Sequence, residues 1–156
     1  MYSIIRLNLW NILKLNKAVS ILHKCGKDMA KRYDLHHWDN SYLKNWLIII
    51  ICALKNKIYL VTDGKSYVAT FQTKKRKEML CFQKLATDPS FSGKGVGSFC
   101  LSQIELMAAE SGCTEVVCDV YDKSAHAIQF YENRGYHVYG TCETIKYKEL
   151  KMKKKL

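Results

Sequence analysis

The chain has 156 residues, 48% hydrophobic and 25% charged, which suits one folded domain with a core of ordinary size and excludes a disordered tail. Its seven cysteines are odd in number and include no CxxC pair, arguing for a reducing compartment and against a disulfide framework or a zinc site. The net charge of +11 sits mostly in residues 74–77 and 143–156, which hold ten of the 25 basic residues and two of the 14 acidic ones, leaving +3 elsewhere. Charge confined to one turn and one tail reads as solvated surface or as steering of an anionic ligand, so no nucleic-acid partner is expected.

From the N-terminus, residues 3–9 alternate loosely as a first strand, and Arg6 and Asn8 interrupt the apolar run that a signal peptide would need. Asn16 is placed to cap a helix whose apolar positions Ala18, Ile21, Leu22, Cys25 and Met29 share one face. After a polar, aromatic loop over 33–41, Leu43, Trp46, Leu47, Ile50 and Leu54 fall on one face of a second helix behind a Ser/Asn cap. The uninterrupted apolar run Trp46–Leu54 is nine residues, against the ~20 that span a bilayer. We expect a cytoplasmic protein with no membrane partner.

Residues 57–63 and 66–73 read as a hairpin around the turn dipeptide Asp63-Gly64. A strand over 78–88 then leads through a glycine loop into a helix over 95–111, stopped by Gly112. Strand 115–121, helix 124–134 capped by Gly135, and closing strands near 136–150 complete the pattern. Strands 78–88 and 115–121, joined through a helix, should pair in parallel, while the flanking hairpins make the sheet mixed. The expected fold is α/β (α+β): one central sheet of about six to seven strands with helices on both faces.

The loop Gly93-Lys94-Gly95-Val96-Gly97 follows a strand and opens a helix. Glycines there let the backbone approach an anion, and the amides of Gly95, Val96 and Gly97 would point at a phosphate, aided by the helix dipole. Two other phosphate loops fit less well. A P-loop needs Gly-Lys-Ser/Thr at its end, and Gly97 precedes Ser98 with no lysine between them. A dinucleotide fingerprint read from Gly95 meets Cys100 at its third glycine, and the 37 residues after Asp119 are too few to complete that sheet.

Over residues 78–140 the chain resembles the GNAT superfamily of acyl-CoA N-acyltransferases. The family loop Q/R-x-x-G-x-G/A is matched by Ser92-Gly93-Lys94-Gly95-Val96-Gly97, with serine where arginine or glutamine is usual. The segment Leu85-Ala86-Thr87-Asp88-Pro89 resembles the family's strand-to-loop entry, and Ser124 stands where asparagine is frequent. Ala127-Ile128-Gln129-Phe130-Tyr131 and Gly135-Tyr136 follow. The resemblance implies a single domain over 1–156 that takes acetyl-CoA as co-substrate and needs no metal. It also implies that the Leu85 and Thr87 amides face the thioester and pantetheine arm. Ser92 to Ser98 would cradle the pyrophosphate with Ser124 nearby, and Tyr131 would be the general acid.

The chemistry requires such an acid. A lysine-like amine has a pKa of ~10.4 and is mostly protonated at neutral pH, so a proton must leave it and another must reach the departing thiolate. Tyrosine, with a pKa of ~10, stays protonated and can donate. No base stands out: Glu78, Asp119, His36 and His37 are candidates acting through water. Cys81 as an acyl-carrying nucleophile lacks a discernible His/Asp partner. The acceptor would be a small-molecule or peptide amine, its pocket lined by the His36-His37-Trp38 loop with Tyr33 and Tyr42. A homodimer is compatible with the pattern. The alternatives are a catalytically inactive acyl-CoA-binding protein of the same fold and, less favoured, a basic nucleic-acid-binding module.

Overall fold

The computed structural model describes residues 1–143 and 147–156; Lys146, one of the tail lysines, lies outside the described residues. In chain order the elements are β1 (Ser3–Leu7), α1 (Ile12–Tyr33), α2 (Tyr42–Ala53), β2 (Lys57–Thr62), β3 (Tyr67–Arg76) and β4 (Met79–Thr87). A 3₁₀ turn (Pro89–Phe91) leads to α3 (Val96–Glu110), β5 (Glu115–Tyr121), α4 (Ala125–Glu132), β6 (His137–Glu143) and β7 (Lys148–Lys155). The strands hydrogen-bond in the order β1-β2-β3-β4-β5-β7-β6. As the crossover requires, β4 and β5 run parallel, from Met79 beside Glu115 to Phe82 beside Cys118. The β1–β2, β2–β3, β5–β7 and β6–β7 pairs are antiparallel, so the seven-stranded sheet is mixed.

Two compact units make up the chain, residues 1–74 with 84–103 and residues 75–83 with 104–156. In the first, Leu15, Ala18, Val19, Ile21 and Leu22 of α1 pack with Leu7, Ile49, Ile58, Leu60 and Ala86. Six consecutive buried residues, Val68–Thr73, mark β3 as an inner strand covered on both faces. α1 begins at Ile12, one turn before the expected cap. The Asn16 side chain is committed elsewhere: its Oδ1 accepts from Tyr42 Oη at 2.7 Å and Trp46 Nε1 at 3.1 Å, tying α1 to α2. The true cap of α2 is Ser41, whose Oγ accepts from the Lys44 amide at 3.2 Å.

α1 approaches the following loop closely at Gly26, where an added Cβ would sit 2.2 Å from the Trp38 carbonyl oxygen. The obstructing atom is backbone and cannot rotate away. We expect Gly26→Ala to destabilise the protein by about 1–3 kcal/mol, the usual cost of overpacking. In thermal melts that is roughly 2–4 °C per kcal/mol for a chain of this size. An unchanged melting temperature would show that the loop moves aside freely.

In the second unit, Leu80, Phe82, Val116, Val120, Tyr131, Tyr136 and Met152 are buried. The C-terminal lysines do not form the solvated tail expected from their charge. They belong to β7, which pairs with β5 on one side and β6 on the other. Met152 is fully buried, while Lys153 meets Glu115 at 2.9 Å, Lys154 meets Glu105 at 2.9 Å and Lys151 lies 3.7 Å from Asp119. The lysine stems line the strand and their ammonium heads reach water or a carboxylate, so the basic run hid an inner strand. Removing residues 151–156 would therefore unzip two ladders rather than trim a tail.

Candidate active site

The glycine loop lies in the first unit. Thr87 closes β4, and the Asp88 amide bonds Val68 O at 2.8 Å. The 3₁₀ turn then carries the chain to Ser92–Gly95, all exposed, before Val96 drives the first residue of α3 to 1% exposure. Gly93 and Gly95 hold φ of 74° and 77°, a left-handed backbone that disfavours any side chain. The first intrahelical bond runs from the Phe99 amide to Gly95 O at 2.9 Å. The Gly95, Val96 and Gly97 amides precede it, in the turn that an α-helix leaves without internal partners. An exposed, glycine-rich entry into a helix N-terminus is a recurrent anion cradle.

Contacts from several side chains hold the loop. Tyr2 Oη donates to Lys94 O at 3.1 Å, and its ring lies 5.4 Å from that of Phe99. The Lys94 ammonium stands 4.8 Å above the Phe91 ring. Asp88, 7% exposed, accepts from the Ser90 amide and hydroxyl at 3.0 and 2.7 Å and from Lys24 Nζ at 2.8 Å. Tyr2 gave no sequence signal, because its partner is a carbonyl 92 positions away.

Burial of Asp88 works to raise its pKa, but the Lys24 ammonium and the Ser90 donors outweigh it and hold the carboxyl below its ordinary value. A lowered folded-state pKa means that the ionised form stabilises the fold. That contribution is complete above the ordinary carboxylate range and fades as pH falls through the folded-state pKa. Asp88→Asn should cost roughly 1–3 kcal/mol at neutral pH. The low end is expected, because the Lys24 side chain is 56% exposed and screened. Urea melts of wild type and variant should converge on acidification; a constant gap would refute the charge assignment.

β4 is irregular where the loop begins. Lys84 adopts φ 52° within the strand, and its ammonium lies 6.0 Å from the Trp38 ring centroid. Beyond it Leu85 and Thr87 are half-buried while Ala86 is 1% exposed. The Thr87 backbone amide faces the Cys25 thiol, whose pKa burial and the Asp28 charge push up to about 12 against that amide's pull. Leu22, Trp38, Asn40, Asn45, Ile48 and Lys84 line a cavity of ≈ 20 Å³. That is room for one water-sized guest, far below a pocket for an amine substrate.

The second unit holds Ser124 and Tyr131. Ser124, 2% exposed, precedes α4 and takes the Ala127 and Ile128 amides on its carbonyl. Tyr131 follows seven residues later, about two turns on, and is 9% exposed. Its ring lies 5.7 Å from Phe82, 5.2 Å from Phe130 and 5.7 Å from Tyr136. Tyr136 is buried beside it. Its hydroxyl donates to Glu105 at 3.2 Å, and burial with the Glu105 charge pushes its pKa far up.

The candidate bases are scattered. Glu78 is exposed in the turn before β4, its carbonyl taken by the Thr114 and Glu115 amides. Asp119 is 52% exposed beside Lys151. His36 bonds Asp34 at 2.9 Å, which raises its pKa and favours the cation. His37 is half-buried, its ring 5.9 Å from that of Trp38. Cys81 is half-buried with its thiol pKa raised by burial, which leaves little thiolate at neutral pH. Among the described residues, no group of three His, Cys, Asp or Glu is placed to hold a metal ion.

No curated protein sequence matches the chain. Among solved structures it is similar to a PaiA N-acetyltransferase from Thermoplasma acidophilum in complex with coenzyme A, at 17% identity and TM-score 0.78, covering 100% of this chain and 99% of that one. It is also similar to the ribosomal-protein-S18-alanine N-acetyltransferase from Escherichia coli, at 17% identity and TM-score 0.75, covering 99% and 94%. An IAA acetyltransferase from Bacillus cereus gives 14% identity and TM-score 0.71, with both chains covered completely. At these identities the likeness is one of fold. The family model for an acetyltransferase (GNAT) domain matches residues 53–138, which include the glycine loop, the parallel β4–β5 pair, Ser124 and Tyr131. On that match the chain belongs to the GNAT acetyltransferase family.

Proposed function

We propose that residues 1–156 act as one acetyl-CoA-dependent N-acetyltransferase that moves an acetyl group to a primary amine. The observation that carries the reading is the exposed loop Ser92–Gly95 feeding the α3 N-terminus, with glycine backbones at positive φ. The Gly95, Val96 and Gly97 amides and the first hydroxyl of the helix, Ser98, suit a pyrophosphate, with Ser92 and Lys94 at the rim. The Leu85 and Thr87 backbone is assigned to the thioester and pantetheine arm, which requires the Thr87 amide to leave the Cys25 thiol for the coenzyme. Ser124 is assigned to the same coenzyme. Family membership and a neighbour solved with coenzyme A support this assignment.

In the proposed reaction the neutral amine attacks the thioester carbonyl, forming the C–N bond. Collapse then breaks the C–S bond, and the thiolate takes the Tyr131 hydroxyl proton. The excess amine proton leaves to water, which restores tyrosine after turnover. No acyl-enzyme is required, in keeping with the burial-raised Cys81 thiol. All seven cysteines are unpaired, which suits the reducing cytoplasm we assign to the protein. The test is thiol release from acetyl-CoA across small amines, N-terminal peptides and lysine peptides. Release with at least one acceptor is expected; acetyl-CoA binding with no release across the panel would make the chain an acyl-CoA binder.

A further inference from the structure

Of the stripe predicted on α2, Trp46 is half-buried against the core, while Leu43, Leu47, Ile50 and Leu54 face outward and Ile51 joins them. Leu43, Leu47, Ile50, Ile51 and Leu54 are 41–71% exposed, whereas Asn45 and Ile49 on the other side are 4% and 0%. Their spacing of i, i+4, i+7, i+8 and i+11 places them in one stripe along the helix. The start of α1 extends it: Trp10, Ile12 and Leu13 are 89%, 63% and 83% exposed. Ile12 and Leu13 lie one turn from Asn16, which binds Tyr42 and Trp46 of α2. So many exposed large apolar side chains on two tied helices of a folded protein call for a partner.

The charge along it is positive apart from Asp39, which lies just before the Ser41 cap and is held by Lys27 at 2.7 Å. Residues 1–27 and 41–62 contain no Asp or Glu, yet they carry Lys14, Lys17, Lys44, Lys55 and Lys57 beside the stripe. None of these five forms an ion pair among the described residues. The first carboxylate, Asp28, is 16 positions beyond Ile12, about 24 Å along α1, and is bound to Arg32 at 2.8 Å. A second copy would bring these lysines against each other across a two-fold axis, with no unpaired carboxylate on the stripe to meet them. A protein partner would have to supply both an apolar surface for the stripe and carboxylates for its lysine rim. An anionic bilayer supplies both an apolar layer and negative charge to a lysine-rimmed helix.

We infer that the outer face of α2, with Trp10, Ile12 and Leu13, docks the protein in the plane of an anionic lipid bilayer. No described helix is long and apolar enough to cross a membrane, and none needs to be, since an interfacial helix lies in the headgroup layer. The nine-residue run that rules out a span is compatible with this geometry. The inference goes beyond the transferase assignment and does not depend on it.

The test is co-sedimentation of the full chain with vesicles of phosphatidylcholine alone and of equimolar phosphatidylcholine and phosphatidylglycerol. We expect at least tenfold stronger partitioning onto the anionic vesicles, weakening as salt rises. The variant Leu47→Gln/Ile51→Gln/Leu54→Gln should lose at least tenfold of that binding while keeping its melting temperature, since all three side chains already face water. Lys44→Glu/Lys55→Glu should weaken binding to anionic vesicles independently of the apolar residues. Failure of wild type to bind either vesicle would overturn the proposal. So would anionic-vesicle binding that the apolar substitutions leave unchanged, or concentration-dependent dimers that the same substitutions abolish without vesicle binding.

Discussion

Replacing Tyr131 with phenylalanine should lower turnover by roughly 10²–10⁴, the range for loss of a positioned general acid. The ring packs against Phe82, Phe130 and Tyr136, and phenylalanine preserves every one of those ring contacts, so the protein should still fold. Acetyl-CoA affinity should also change little, because backbone amides carry the assigned phosphate contacts. Tyr136→Phe is the control. It deletes a hydroxyl bonded to Glu105, costing about 1 kcal/mol of stability, and should leave turnover near wild type. Equal activity losses in the two variants would mean that aromatic packing, not proton donation, explains the first.

Gly97→Val should abolish measurable acetyl-CoA binding in a protein that still folds. Gly97 occupies the first turn of α3 directly after buried Val96, where the proposed pyrophosphate would approach the backbone. A β-branched side chain there obstructs that approach. Gly95 is less informative, because its φ of 77° makes any side chain strained before a ligand is considered. Calorimetry of the Gly97 variant with retained affinity would show that the pyrophosphate lies elsewhere.

The glycine loop and the parallel β4–β5 crossover were legible because both are local signals: turn residues at fixed offsets, and two apolar strands separated by a helical period. β7 was not. Five lysines in Lys148–Lys155 dominate its composition, and only the buried Met152 between flanking strands shows why it pairs. The α2 stripe was visible as a stripe, but periodicity alone does not say which face is covered. Asn45 and Ile49, rather than the leucines, turned out to be inside. Tyr2 and Lys24 support the loop from 92 and 64 positions away, a separation that no local pattern reports. The helix start was misjudged because Asn16, a good cap by type, bonds Tyr42 and Trp46 instead.

The most direct measurement is a thermal shift of the purified chain titrated with acetyl-CoA, with NAD as the comparison ligand. A ligand that binds the folded state alone stabilises it by ~2.7 kcal/mol at a hundredfold excess over Kd, a rise of roughly 5–11 °C for a chain of this size. Acetyl-CoA should give a saturable rise with wild type and none with Gly97→Val, and NAD should give none. A wild type whose melting temperature does not respond to acetyl-CoA, or responds equally to NAD, would contradict it.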